Sequence, residues 1–134
     1  MVTQVNTPRL YRVILPVTDI EGAARFYGAV LGSVGERVSP GRHYFDCGGT
    51  ILACYDPQAD GDPLGGGWRH HENQYLYFSV PDLQAIYGRV EEAGGRLLGK
   101  IETMPWGERM FYAVDPFGGR ISFVAEGTQF TGPE

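Results

Sequence analysis

Cysteine is scarce in this chain of 134 residues, which carries only Cys47 and Cys54. Neither belongs to a longer Cys/His pattern, so a disulfide framework is excluded and reduced thiols in a cytoplasmic protein are predicted. Long apolar runs are missing too, which rules out a bilayer-spanning helix. Met1 to Pro8 lacks the basic segment and apolar core of a secretory signal. Positive charge is in deficit, with 11 Lys and Arg against 16 Asp and Glu, a net charge of −5 and a pI near 5.1. That balance disfavours nucleic acid or an anionic membrane as a partner. What is present suits a folded domain: 43% hydrophobic and 20% charged residues, with 20 glycines to supply turns, are enough for one core of ordinary size.

One pattern occurs twice. An alternating apolar strand runs into an acidic turn and then a helix that stops at glycine, from Arg12 to Gly32 and again from Tyr75 to Gly95. At an offset of 63, Asp19 meets Asp82, Val17 meets Val80 and Gly32 meets Gly95. Such a unit cannot bury its apolar face alone. Val13, Leu15 and Val17, like Leu76, Phe78 and Val80, have the period of a half-buried strand. The opposite parity carries Arg12, Ile14 and Pro16 in one copy and Tyr75, Tyr77 and Ser79 in the other, and is the face open to a ligand.

In chain order, Leu10 to Val17 reads as a strand, and Thr18 with Glu21 has the spacing of a capping box for a helix reaching Leu31. Strands near Gly35 to Ser39, His43 to Cys47 and Thr50 to Tyr55 follow, divided by Pro40-Gly41 and Gly48-Gly49. Asp, Pro and Gly then dominate a linker with Gly65-Gly66-Gly67 near its centre. Gln74 to Val80 is the next strand, Asp82 the cap of a second helix, and Arg96 to Ile101, Glu108 to Val114 and Arg120 to Ala125 the last strands. The predicted architecture is α+β: a single domain of two tandem β-α-β-β-β modules, at about 9–56 and 74–126 with a linker at about 57–73. They form a curved mixed sheet with helices outside and a hollow within, where a ligand pocket is expected.

The repeat resembles the vicinal oxygen chelate superfamily, the glyoxalase/bleomycin resistance protein/dioxygenase family. Its marks here are Phe26-Tyr27 with Leu31-Gly32, and Pro105-Trp106-Gly107 followed by Asp115-Pro116-Phe117-Gly118-Gly119, the latter pair being similar to the bleomycin-resistance branch. The resemblance implies a ligand site between modules and pairing of modules in a homodimer. It says little about chemistry, because this fold carries lyases, epimerases, dioxygenases and pure binders. Family enzymes hold a divalent ion with His, Glu or Gln from the first and last strands of both modules. Counting from the acidic and Gly-Gly turns puts those positions at Arg12, Leu52, Tyr75 and Ser122. Guanidinium and leucine offer no lone pair to a cation, so the resemblance implies neither metal nor cofactor in this chain.

The remaining candidates each carry a plainer alternative. His70-His71-Glu72 contains three ligating side chains, but neighbours in a Gly-rich linker diverge, and zinc needs three or four that converge. His43 is either a base facing the hollow or a strand histidine with no duty. Cys54 shares the parity of Leu52 and reads as a small apolar residue, with no basic neighbour to activate it. An arginine among apolar strand residues must be solvated or paired, so Arg12 reaches either a carboxylate of this protein or an anionic ligand group. Tyr75 and Tyr77 offer a stacking surface, which Trp68 and Trp106 close from loops or merely pack beneath. Asp115 reads as a turn cap.

The reading that follows is a metal-independent small-molecule binding protein that sequesters an aromatic or heterocyclic antibiotic-like compound without reacting with it. Its ligand-binding residues are Arg12, His43, Tyr75, Tyr77, Trp106 and Ser122. The rival is an enzyme: a metal-dependent lyase, isomerase or dioxygenase with ligands drawn from His43, His70, His71 and Glu72, or a metal-free acid–base catalyst using Arg12 and Tyr75.

Overall fold

The computed structural model describes residues 7–63, 69–71 and 73–130; Trp68, Glu72 and the Gly65-Gly66-Gly67 run lie outside the described residues. The first module runs β1 (Arg12–Pro16), α1 (Ile20–Leu31), β2 (Glu36–Ser39), β3 (Arg42–Cys47) and β4 (Thr50–Tyr55). The second runs β5 (Tyr75–Val80), α2 (Leu83–Glu92), β6 (Arg96–Leu97), β7 (Glu102–Thr103), β8 (Arg109–Val114) and β9 (Arg120–Ala125). This is the α+β tandem β-α-β-β-β arrangement, with only Arg96–Leu97 of the strand predicted over 96–101 formed and a further short strand just beyond it at Glu102–Thr103. Gly99 lies between them at a φ of 150°, a backbone state open chiefly to glycine.

The strands lie in two mixed sheets, of order β1-β4-β3-β2 and β5-β9-β8-β6, with β7 also paired to β8. In each module the first strand is parallel to the last, Arg12 opposite Ile51 and Tyr75 opposite Arg120. Among the described residues, β1 and β5 each have one edge without a strand partner.

Helix α1 is capped by Asp19 and not by Thr18. The backbone at Asp19 is extended, at φ −149°, and its carboxylate accepts the Gly22 N–H at 3.1 Å, the geometry of an N-cap. Asp82 does the same for Ala85 in front of α2, also at 3.1 Å. Gly32 ends α1 at φ 69°, a left-handed state that suits glycine.

Ile20, Ala23, Phe26, Tyr27 and Val30 of α1 recur at helical spacing, and their side chains join Leu83, Ile86 and Val90 of α2 in one core. The helix-facing parity of both sheets closes it, with Leu15, Phe45, Leu52 and Cys54 from one and Phe111, Ile121 and Phe123 from the other. Each large side chain so buried contributes about 1.5–3 kcal/mol, and the cluster draws on both modules. A polar bolt reinforces the seam. The buried Tyr27 hydroxyl donates to Asp115 Oδ2 in the β8–β9 turn, while Asp115 Oδ1 accepts the N–H groups of Phe117 at 2.8 Å and Gly119 at 2.7 Å. A Cβ at Gly119 would stand 2.5 Å from Asp115 Oδ2, so glycine is required there.

Candidate functional site

Strand register sorts the candidates by face. Val13 pairs with Leu52 and Leu15 with Cys54, and all four belong to the helix-facing core or line its rim. Leu52 and Cys54 therefore look into the core and not into a hollow, as the count from Gly48-Gly49 had placed them. The helix-free position beside β1 is Ala53, opposite Ile14, and it corresponds to Ser122 opposite Tyr77. The two modules differ here because their turns differ in length. Cys47 pairs directly with Thr50 across two glycines, whereas five residues separate the paired Val114 and Arg120.

On module 2 the helix-free face gathers Tyr75, Tyr77, Tyr112, Arg120 and Ser122. Tyr77, Ser122 and Tyr112 lie in one cross-strand row, and the two phenol oxygens meet at 3.3 Å. The Tyr75 and Tyr112 rings contact edge to face at 5.4 Å between centroids, and the Arg120 guanidinium lies 5.9 Å from the Tyr75 centroid. Ser122 is fully buried and its Oγ has no hydrogen-bond partner. The Tyr112 phenol is pushed up to about 12, first by its hydrogen bond with Tyr77 and then by desolvation, so it stays a neutral donor at physiological pH.

On module 1 the same face carries Arg12, Ile14, Tyr44 and Ala53. Arg12 donates from Nη2 to the Tyr11 hydroxyl at 2.7 Å, and its guanidinium lies 5.0 Å from the Tyr11 centroid and 5.2 Å from that of Tyr44. No carboxylate of the described residues pairs with Arg12 or Arg120. Tyr44, Tyr112 and Arg120 are not among the residues that the sequence singles out, although Arg120 lies two residues from Ser122 on the same strand and Tyr112 stands directly opposite Ser122 across the hairpin.

His43 belongs to the other face. It is buried, its Nδ1 accepts from Arg37 Nε at 3.2 Å and its Nε2 meets the Val34 carbonyl at 2.9 Å. Both nitrogens are thus engaged by the protein. Helix-facing parity, shared with Phe45, places it there. Trp106 is 60% exposed in the turn between β7 and β8, and donates from Nε1 to Glu108 at 2.9 Å. That turn is tight, closed by Gly107 N–H to Met104 carbonyl at 2.9 Å, and is no long lid. His70 packs near Gly118 and Gly119 with Nε2 buried and unpartnered, while exposed His71 accepts the Asn73 N–H at 3.1 Å. Burial drives the Cys54 thiol up to about 12, so it is no nucleophile.

A cleft of about 860 Å³ runs between the modules along the unpaired edge of β5, with Leu10, Cys47, Thr50 and Arg89 among its walls. It takes in Tyr75 and Tyr77 from the helix-free row, but not Arg12, Trp106, Ser122 or His43.

The family model of the Glyoxalase/Bleomycin resistance protein/Dioxygenase superfamily matches residues 9–123. The chain belongs to this superfamily. A glyoxalase-related enzyme from Fulvimarina pelagi superposes on this superfamily member with a TM-score of 0.74, at 23% identity over 92% of each chain. A glyoxalase/bleomycin resistance protein from Albidiferax ferrireducens T118 gives 0.72 at 20% identity, over 87% of this chain and 97% of that one. A lactoylglutathione lyase from Agrobacterium tumefaciens gives 0.69 at 19%, over 90% and 96%. At such identities the likeness is one of fold. No curated protein is a significant match.

The divalent ion common in glyoxalase-superfamily enzymes does not fit the residues present. Its four positions hold Arg12, Ala53, Tyr75 and Ser122, a set with no imidazole and no carboxylate. Among the described residues, no group of three or more His, Cys, Asp or Glu is arranged to hold a metal. No helix among them is long and apolar enough to cross a membrane.

Proposed function

We propose that this superfamily member is a small-molecule binding protein that works without a metal, taking up an aromatic or heterocyclic antibiotic-like compound on its helix-free faces and sequestering it in the cytoplasm. The observation that carries this reading is the donor set at the four family ligand positions, Arg12, Ala53, Tyr75 and Ser122, set among tyrosine rings. Such a set stacks on and hydrogen-bonds a planar compound but supplies no Lewis acid. Tyr75 and Tyr77 form the stacking surface, Ser122 lies beneath them, Arg12 anchors an anionic group, and Trp106 packs at the margin. His43 has no part in it, since both its nitrogens are taken. The same engagement removes His43 from the ligands on which the rival metal enzyme draws, leaving His70, His71 and Glu72.

The modules 9–56 and 74–126 act as one unit, and two chains pair as a homodimer. The open edges of β1 and β5 support pairing, because an uncovered strand edge seeks a partner. The test is elemental analysis of untagged, dialysed protein together with a tryptophan-fluorescence screen of glycopeptide, quinone and other heterocyclic compounds. Less than a tenth of a transition-metal equivalent per chain and a saturable ligand are expected. One tightly held zinc, iron, nickel or manganese per chain, or turnover of a lyase or dioxygenase substrate, overturns the reading.

A further inference from the structure

The module 2 face carries a feature that stacking alone does not use. Ser122 is completely buried, yet its hydroxyl has no hydrogen-bond partner, a state rare enough in native structures to need a reason. It sits between Tyr77 and Tyr112, whose hydroxyls meet at 3.3 Å. Tyr77 is 52% exposed, so that arch is closed on one side by a residue open to solvent. Two residues along the same strand is Arg120, partly buried, resting on the Tyr75 ring and matched by no carboxylate among the described residues. In a chain of net charge −5, a partly buried cation left unpaired beside an unpartnered hydroxyl is a poor arrangement for stability and a good one for receiving an anion.

We infer that Arg120 and Ser122 are the two polar anchors that module 2 supplies to a site for a planar aromatic anion, a carboxylate-bearing ring with a second hydrogen-bonding group at its far end. The inference rests on the small-molecule reading above and gives it a ligand class. Two residues on one strand set their Cα atoms about 7 Å apart, a spacing that suits a single ring substituted at both ends. The guanidinium takes the carboxylate through its planar fork. The ring lies against Tyr75 and Tyr112, Tyr77 swings aside, and the distal hydroxyl or amine of the ligand reaches Ser122 Oγ. Nothing in the arrangement calls for reaction, only for recognition of charge at one end and of a polar group at the other.

Isothermal titration calorimetry with 4-hydroxybenzoate, benzoate and 4-hydroxybenzamide tests this. The hydroxy acid is expected to bind about tenfold or more tightly than its neutral amide, and several-fold more tightly than benzoate. Arg120→Gln should abolish the preference for acid over amide. Ser122→Ala should abolish the preference for hydroxybenzoate over benzoate while keeping that for acid over amide, and its melting temperature should be equal to or above that of the parent, because an unpartnered hydroxyl is removed. Equal binding of acid and amide by the parent protein overturns the inference with no variant needed, as does an acid preference that survives in Arg120→Gln. Binding of neutral heterocycles with no binding of the acids overturns it but spares the broader reading. Failure of every planar compound, charged or neutral, overturns both.

Discussion

Module 1 and module 2 set out the same positions with different chemistry. Where the first has Arg12, Ile14, Tyr44 and Ala53 on its helix-free face, the second has Tyr75, Tyr77, Tyr112 and Ser122. The hairpin turns differ likewise. Asp46 in the first is exposed and its Oδ1 accepts only the Gly49 N–H, at 2.7 Å, whereas Asp115 in the second is buried and holds two N–H groups and the Tyr27 hydroxyl of the other module. One scaffold thus divides tasks: module 2 supplies the aspartate of the core bolt and the aromatic shelf with Arg120 beside it, and module 1 supplies the Tyr27 hydroxyl of the bolt and the exposed cation Arg12. A copy freed from one duty can differ at equivalent positions without losing the fold, because the helix-facing parity alone maintains the shared core.

The turn contrast should have the largest effect. Asp115→Ala strands a buried Tyr27 hydroxyl and two backbone donors, and a loss of about 3 kcal/mol is expected from unmet buried hydrogen bonds. Asp46→Ala, at an exposed turn, should cost less than about 1 kcal/mol. Urea denaturation of the two variants measures both. Equal losses would mean that Asp115 does not bolt the modules together.

On the two faces, the cation of module 1 comes next. Arg12→Ala should weaken the ligand identified by the fluorescence screen by about 1.5–3 kcal/mol if the guanidinium meets a charged group, which is tenfold or more in affinity. Stability should hardly change, since Arg12 is exposed and its polar contact is with neighbouring Tyr11. Titration calorimetry alongside thermal melting separates the two. An unchanged affinity would confine recognition to module 2.

The core offers a third contrast, since Cys54 of β4 stands where β9 has Phe123. Its thiol is raised from 9.0 to about 12, chiefly by burial and then by Asp115. The folded state therefore holds this proton more tightly than the unfolded chain does. That stability is complete below pH 9 and is lost as the pH rises toward 12. At pH 10 the loss from this group is about 1.4 kcal/mol, one pH unit above its ordinary value. Buried Tyr27, also raised by desolvation first and by Asp115 next, adds a loss of the same sign starting near pH 10. Cys54→Ala should keep more of its pH 8 stability at pH 10 than the parent. An equal loss of unfolding free energy between pH 8 and pH 10 in variant and parent, read from urea melts, would show that the thiol does not titrate with unfolding.

Much of this was legible in the sequence, for a physical reason. Side chains alternate strictly along a strand, so the faces of β1 and β5 followed from Val13, Leu15, Val17 and Leu76, Phe78, Val80, and the repeat followed from matched helix ends. What escaped depended on pairing between strands. Counting from Gly48-Gly49 misplaces Leu52 because parity in β4 is fixed by the length of its turn with β3, and a glycine pair marks a turn without giving its register; of the two alternatives for His43, the alternation of β3 selects the side shared with Phe45. Arg120 and Tyr112 escaped because a site read strand by strand overlooks a row that crosses three. The capping-box spacing points to Thr18, but the Asp19 side chain competes for the same helix start and takes it.

The smallest effect concerns the two aromatic candidates of module 2, and their settings differ. Tyr75 lies within the shelf, edge to face with Tyr112 at 5.4 Å and beneath Arg120 at 5.9 Å. Trp106 stands 60% exposed in a tight turn, tied to Glu108 two residues away. A ring that already has a wall on one side presents its other side to a ligand at little entropic cost, whereas an exposed indole must first be ordered. One aromatic contact is worth about 0.5–1.5 kcal/mol beyond area burial. Tyr75→Ala should therefore weaken binding several-fold, and Trp106→Ala by less than about twofold. Calorimetry of both folded variants with the same ligand decides it. A larger loss for Trp106 would place the ligand at the β7–β8 turn, outside the row of Tyr77, Ser122 and Tyr112, and would move the site from the face of the sheet to its rim.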